Sequence, residues 1–176
     1  PTVRAGSLTL RQDDSAHTLA VYREHVSAPI LTQNARPDFR PYLHPIVSPD
    51  GKSVLTEFSP NHHRHQTGIY WGLTRVNGRD YFHNPTADHW RRVSTQIIRE
   101  QGSEVKWSTT YHLLDAHGSP IMAETQSWTM RDSGDRYRSR PNDPDAAIAY
   151  GNALSAIGQR AQAVAVLEKA SLASPS

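Results

Sequence analysis

The stretch Pro60-Asn61-His62-His63-Arg64-His65-Gln66-Thr67-Gly68 concentrates more chemistry than any other part of the chain. In extended backbone alternate side chains share a face, so His63 and His65 would project together and converge on one ligand, proton or metal ion. A second polar group, Arg40-Pro41-Tyr42-Leu43-His44-Pro45, lies upstream, and His44, His83 or His89 can supply a third nitrogen. Three readings follow. In the first, His63 and His65 serve a polar ligand as hydrogen-bond donors or as a catalytic acid/base pair. In the second, His44, His63 and His65 are ligands of a metal ion of unknown type. That needs three or four donors in fixed geometry, and no His-Glu-x-x-His helix is present to provide them. In the third, the histidines bond one another, Arg64, Gln66 and the loop backbone.

Tyr70, Trp71, Tyr81, Phe82 and Trp90 follow within a short distance. Aromatic faces beside His, Asn and Arg suit a sugar, whose C–H face stacks while its hydroxyls form hydrogen bonds. For a single aromatic in a strand the core is nonetheless the commoner place, and Trp107 and Trp128 are assigned to it. The expected binding set is Arg40, Tyr42, His44, Tyr70 and Trp71, around His63 and His65. The acids Glu57, Asp80, Asp88 and Glu124 are scattered, and their spacing identifies no glycosidase-type carboxyl pair.

The elements that must hold these residues read as strands. From 104 to 114 the chain alternates, with Val105, Trp107, Thr109, Tyr111 and Leu113 on one face. A turn at Ala116-His117-Gly118 leads into a second alternating run from Ile121 to Met130, an antiparallel hairpin. The segment from Gly68 to Leu73 reads as a buried strand, and Asn77-Gly78 as a two-residue hairpin turn. Further short strands are expected around Leu8 to Arg11, Thr18 to Arg23, Tyr42 to Ile46 and Val93 to Arg99. Many short strands joined by Gly, Asn and Pro turns indicate an antiparallel sandwich.

The bulk composition narrows the function classes. The 176 residues suffice for one domain and an appendage. The 19 basic and 17 acidic side chains are dispersed, leaving a net charge of +2 and no basic stripe. Arg136, Arg138 and Arg140 have no aromatic platform beyond Tyr137, which makes a solvated linker the better reading than a nucleic-acid strip. Cysteine is absent, so disulfides and thiolate chemistry are excluded. No apolar run approaches the roughly 18 residues of a membrane span, and no signal peptide opens the sequence.

Composition changes near Asp132 to Arg140. All ten histidines and all four tryptophans precede Arg131, whereas the last 36 residues hold ten alanines and one aromatic, Tyr150. Asp145 to Ile157 and Arg160 to Ala173 carry small and aliphatic residues at helical spacing around Gly158-Gln159, which predicts a helical hairpin. The expected organisation is a mainly β antiparallel sandwich over 1–131, a linker over 132–143, and one α-helical hairpin over 144–176.

Two resemblances accompany this reading. Arg40-Pro-Tyr-Leu-His-Pro-Ile, Ser48-Pro-Asp-Gly, Thr67-Gly-Ile-Tyr-Trp-Gly and Val76-Asn-Gly-Arg-Asp-Tyr-Phe resemble the bacterial PmoA-like family, more weakly out to about Met130. That resemblance implies a galactose-mutarotase-like sandwich, found in exported proteins with sugar-related neighbours, and hence a carbohydrate-binding or carbohydrate-modifying protein. It also implies further sandwich strands where this sequence changes character near Ser133, so that little or no catalytic turnover is expected of the chain as given. The tail, with Tyr150-Gly151, Leu154, Gly158, Ala163, Leu167, Ala170 and Pro175, is similar to a tetratricopeptide repeat of the pilus-assembly type. Such a hairpin implies a protein partner, although a single repeat does not make a free-standing solenoid.

Overall fold

The computed structural model describes residues 6–83 and 86–132, all within a compact unit that spans Pro1–Asp135. The described residues form nine strands: β1 (Leu8–Asp13), β2 (Thr18–Arg23), β3 (Leu31–Asn34), β4 (Tyr42–Ile46), β5 (Ile69–Tyr70), β6 (Trp90–Arg99), β7 (Gln101–Gly102), β8 (Glu104–Leu114) and β9 (Pro120–Arg131). One sheet has the order β5-β4-β3-β2-β1-β7 and the other β6-β8-β9. Every pairing is antiparallel. The protein is therefore mainly β with antiparallel sheets, as a sandwich requires. The expected hairpin over 144–176 lies outside the described residues.

β8 shows why these segments become strands. Val105, Trp107, Thr109, Tyr111 and Leu113 are all buried and the residues between them half-exposed, the period of two that a pleated strand imposes when one face meets a core. Asp115 closes the turn to β9 through Gly118 N–H and Ser119 N–H. Leu8, Leu10, Leu19, Val21 and Leu43 from the larger sheet pack with Val105 and Trp107 from the smaller one. Each fully buried side chain of this kind contributes about 1.5–3 kcal/mol. A second cluster, Tyr81, Trp90, Tyr111 and Leu113, closes one end of the smaller sheet.

β3 escapes a periodicity reading because its buried residues include Thr32 and Gln33. Gln33 is accommodated by hydrogen bonds rather than by apolar contact: it accepts from Trp107 Nε1 at 2.6 Å and donates to Thr109 Oγ1 at 3.1 Å, joining the two sheets.

The expected strand from Gly68 to Leu73 is much shorter in the structure. Only Ile69 and Tyr70 pair, at the sheet edge, and Trp71 is 40% exposed. Gly68 breaks the run. Its φ is +98°, a region that L side chains avoid, and a Cβ there would lie 2.2 Å from Leu43 O. Gly68→Ala is accordingly expected to cost at least 1–3 kcal/mol, on the order of the backbone strain alone. An unchanged urea midpoint would contradict this account of the β4–β5 edge. The Asn77-Gly78 turn does form, with both residues at positive φ and Arg79 N–H bonded to Val76 O at 3.0 Å, but it joins an isolated bridge rather than two strands.

Candidate functional site: an imidazole and aromatic cluster on buried Arg40

Tyr42 and Tyr70 are directly opposite on β4 and β5, so their side chains share one face. Leu43 and Ile69 occupy the other face and join the core. Arg40 precedes β4 and is 1% exposed. Its guanidinium lies 3.4 Å from the Tyr70 ring centroid. It donates to Phe82 O, to His65 O at 3.0 Å and to Thr67 Oγ1 at 3.4 Å. No carboxylate among the described residues forms an ion pair with it. Burial, partly opposed by Tyr70, Asp80 and Glu124, brings its pKa down to about 10, so it remains a cation at neutral pH. One planar fork thus ties the segments 65–67 and 82 to the edge of the larger sheet, a geometry suited to arginine.

The histidine loop is not extended. Ser59 N–H bonds Gln66 O at 2.6 Å, and successive turns run from Pro60 to His63 and from His63 to Gln66. The turns nevertheless bring the rings together. The His63 and His65 centroids are 5.7 Å apart, His62 lies 5.2 Å from His63, and His65 lies 4.8 Å from His83 and 5.6 Å from Phe82. His83 Nδ1 donates to Asp80 Oδ2, which places the lone pair of the neutral ring on Nε2. Burial, with repulsion from His83 and His63 when they are protonated and from Arg40, holds His65 below the ordinary histidine value. Asp80 stays below the usual carboxylate range despite partial burial, because His83 and the Phe82 N–H bond its charged form.

Of the expected residues, His63 and His65 meet at this cluster, and Arg40 and Tyr70 form its floor. His44 sits elsewhere: its Nδ1 shares a 2.9 Å hydrogen bond with Thr56 Oγ1, and its ring packs against Phe58 at 5.7 Å. Burial pulls its pKa down. Tyr42 packs on the same Phe58, also at 5.7 Å, and Phe58 is 52% exposed. Trp71 is exposed beside Tyr70. His89 is buried against Tyr81 and bonds Asp88, away from the other imidazoles, while Tyr81 and Trp90 are core.

Of the three histidines expected as a third donor only His83 reaches the cluster; Asp80, scattered among the acids in the sequence, bonds it, and Phe58 lies outside the expected set. The spacing Asp80-x-x-His83 just after a tight turn is the signal that identifies the dyad. No group of three or more His, Cys, Asp or Glu able to hold a metal ion occurs among the described residues, so the geometry lends no support to the reading of His44, His63 and His65 as metal ligands. No helix among them is long and apolar enough to cross a membrane.

Fold and site together define a mainly β, two-sheet protein carrying an arginine-organised imidazole and aromatic cluster at one sheet edge. The chain belongs to the family of unknown function DUF6807, which matches residues 9–141. No curated protein and no solved structure matches it. This membership corrects the PmoA-like assignment drawn from residues 40–83: the motifs there are those of a DUF6807 chain. The tetratricopeptide assignment is not supported either, since the family match names no such repeat. The segment that carried it, 144–176, lies outside the described residues.

Proposed function

We propose that this protein binds or modifies carbohydrate, taking a polyhydroxylated ligand at the His63–His65–His83 cluster. The observation that carries the reading is the contact of three imidazoles with one another and with Phe82, one of them oriented by Asp80. Imidazole nitrogens donate to or accept from hydroxyls, and exposed rings stack on sugar C–H faces. Arg40 and Tyr70 act from beneath by holding the loops, and Tyr42 and His44 support Phe58. A modifying activity would use His65 as the acid/base group, with His83 and His63 beside it. The galactose-mutarotase-like form of the sandwich belongs to the same proposal, supported by two antiparallel sheets that enclose one core.

Calorimetric titration of the full chain with mono- and oligosaccharides tests this reading. The double variant His65→Ala/His83→Ala should lose about five- to 150-fold in affinity, since two hydrogen bonds contribute about 0.5–1.5 kcal/mol each and 1.4 kcal/mol is about tenfold. Because burial and its cationic surroundings lower the His65 pKa, the contribution of its neutral ring to binding should persist to a lower pH than that of an ordinary histidine. Unchanged affinity in the double variant, or a wild type that binds no member of the panel, would refute the assignment.

A further inference from the structure

The histidine cluster carries an imbalance of charge that a neutral ligand would leave unused. Between Glu57 and Asp80 the sequence has no acid, yet it holds His62, His63, Arg64 and His65 in the loop and Arg75 and Arg79 after it. His62, His63, Arg64 and His83 are exposed and His65 is half-buried, so the cluster opens directly to solvent and a ligand reaches it without a cavity. Four imidazoles stand in a row of ring contacts, from His62 through His63 and His65 to His83, with 5.2, 5.7 and 4.8 Å between successive centroids.

Among the described residues one carboxylate bonds this row, Asp80, and both of its oxygens are engaged. Oδ2 accepts from His83 Nδ1 and Oδ1 from the Phe82 N–H at 2.8 Å. Beneath lies Arg40, a cation that is 1% exposed. It bonds two carbonyls and a hydroxyl rather than a carboxylate, and Asp80 and Glu124 act on it only through space. A charge in the interior is screened far less than one in water, so the positive field of Arg40 extends over the loops it pins.

We propose that the ligand of the histidine cluster is an anionic saccharide, whose carboxylate or sulfate group is held among the imidazoles of His63, His65 and His83. This rests on the carbohydrate reading above and adds the charge of the substrate. Both oxyanions accept hydrogen bonds, and a protonated imidazole donates from both nitrogens, so His83 then offers Nε2 while Nδ1 stays on Asp80. Burial and the charges of His83, His63 and Arg40 oppose protonation of His65, and Asp80 favours it. An anion seated among the rings reverses that repulsion, which links binding to protonation. A carboxylate stays ionised to about pH 4 while imidazoles gain their protons between about pH 8 and 5, so affinity for the anion rises as pH falls across that range. A cationic ligand meets the same field as a repulsion.

Calorimetry of the full chain compares an oligogalacturonate with its methyl ester, and a sulfated oligosaccharide with its desulfated form, alongside acetate and inorganic sulfate as anions without a sugar. The acidic member of a pair should bind at least about tenfold more tightly than its neutral counterpart near pH 5.5, since a hydrogen bond between charged groups is about twice as strong as a neutral one. The preference should shrink near pH 8 and with added salt. In His63→Gln/His65→Gln, which keeps donors and acceptors but cannot be protonated, the acidic-to-neutral affinity ratio should fall below about threefold. The wild-type pH dependence makes the same test without a substitution. A preference in either pair that grows as pH falls supports the proposal, and the pair with the larger ratio identifies the anionic group. A preference that survives in the glutamine variant, or that does not grow with acidification, overturns the assignment to the imidazoles. Neutral members that bind as tightly as acidic ones overturn the anionic substrate and leave carbohydrate binding standing. Acetate or sulfate binding as tightly as the acidic saccharides, or no binding at all, overturns both readings.

Discussion

Replacing Arg40 by methionine is expected to lower the stability of the protein by about 2–4 kcal/mol and to release the histidine loop. The side chain is buried and donates to two backbone carbonyls, His65 O and Phe82 O. Each acceptor left unsatisfied in the interior costs about 1–3 kcal/mol, and the stack on Tyr70 adds about 1–2 kcal/mol when desolvated. Relief from burying a cation without a carboxylate partner offsets part of that loss, so the net effect is smaller than the sum. Arg40→Lys keeps the charge but places one compact ammonium where a planar fork spans two carbonyls, and it should recover less than half of the loss. Denaturant unfolding gives the magnitude, and imidazole resonances of His63, His65 and His83 report the loop. A destabilisation under about 0.5 kcal/mol with unshifted resonances would show that Arg40 does not organise the cluster, on the scale of ordinary surface changes.

Truncation at Trp107 should cost more. Its ring is buried between the sheets, packed with residues of both and stacked on Trp128, and its Nε1 donates to Gln33 Oε1. Trp107→Ala removes a large core side chain, worth about 3–5 kcal/mol, and strands the Gln33 carbonyl at about 1–3 kcal/mol more. A domain of this size has about 5–15 kcal/mol in all, so the variant is expected to be largely unfolded at ambient temperature. Trp107→Phe keeps one six-membered ring in the core while losing the N–H and the pyrrole part of the indole, so its cost should fall to about 1–3 kcal/mol for the stranded carbonyl plus a smaller cavity contribution. Equal costs for the two variants would mean that packing contributes nothing beyond the hydrogen bond, contrary to the role of Trp107 in the core.

What the sequence by itself determined is what neighbouring residues dictate. The face of β8 that carries Val105, Trp107, Thr109, Tyr111 and Leu113 follows from alternation alone, because the pleat turns successive side chains to opposite sides. The turns at Asn77-Gly78 and Ala116-Gly118 follow from residues that tolerate positive φ or bond their own backbone. The nearness of His63 and His65 was also legible, although turns rather than extended backbone produce it. Tertiary structure decided everything that depended on distant segments. Arg40 is separated by 42 residues from the Phe82 carbonyl it bonds, and no local pattern announces that an arginine will be buried. Gln33 lies 74 residues from Trp107, so β3 looked polar until the facing sheet supplied partners. His83 joined the cluster, and His44 went to Thr56 and Phe58 instead, because the β4–β5 edge and the loops pinned by Arg40 set which rings meet. Periodicity reports the face a side chain takes. The partner across the core is fixed only when the chain closes, where burial penalises every polar group that closure leaves unmatched.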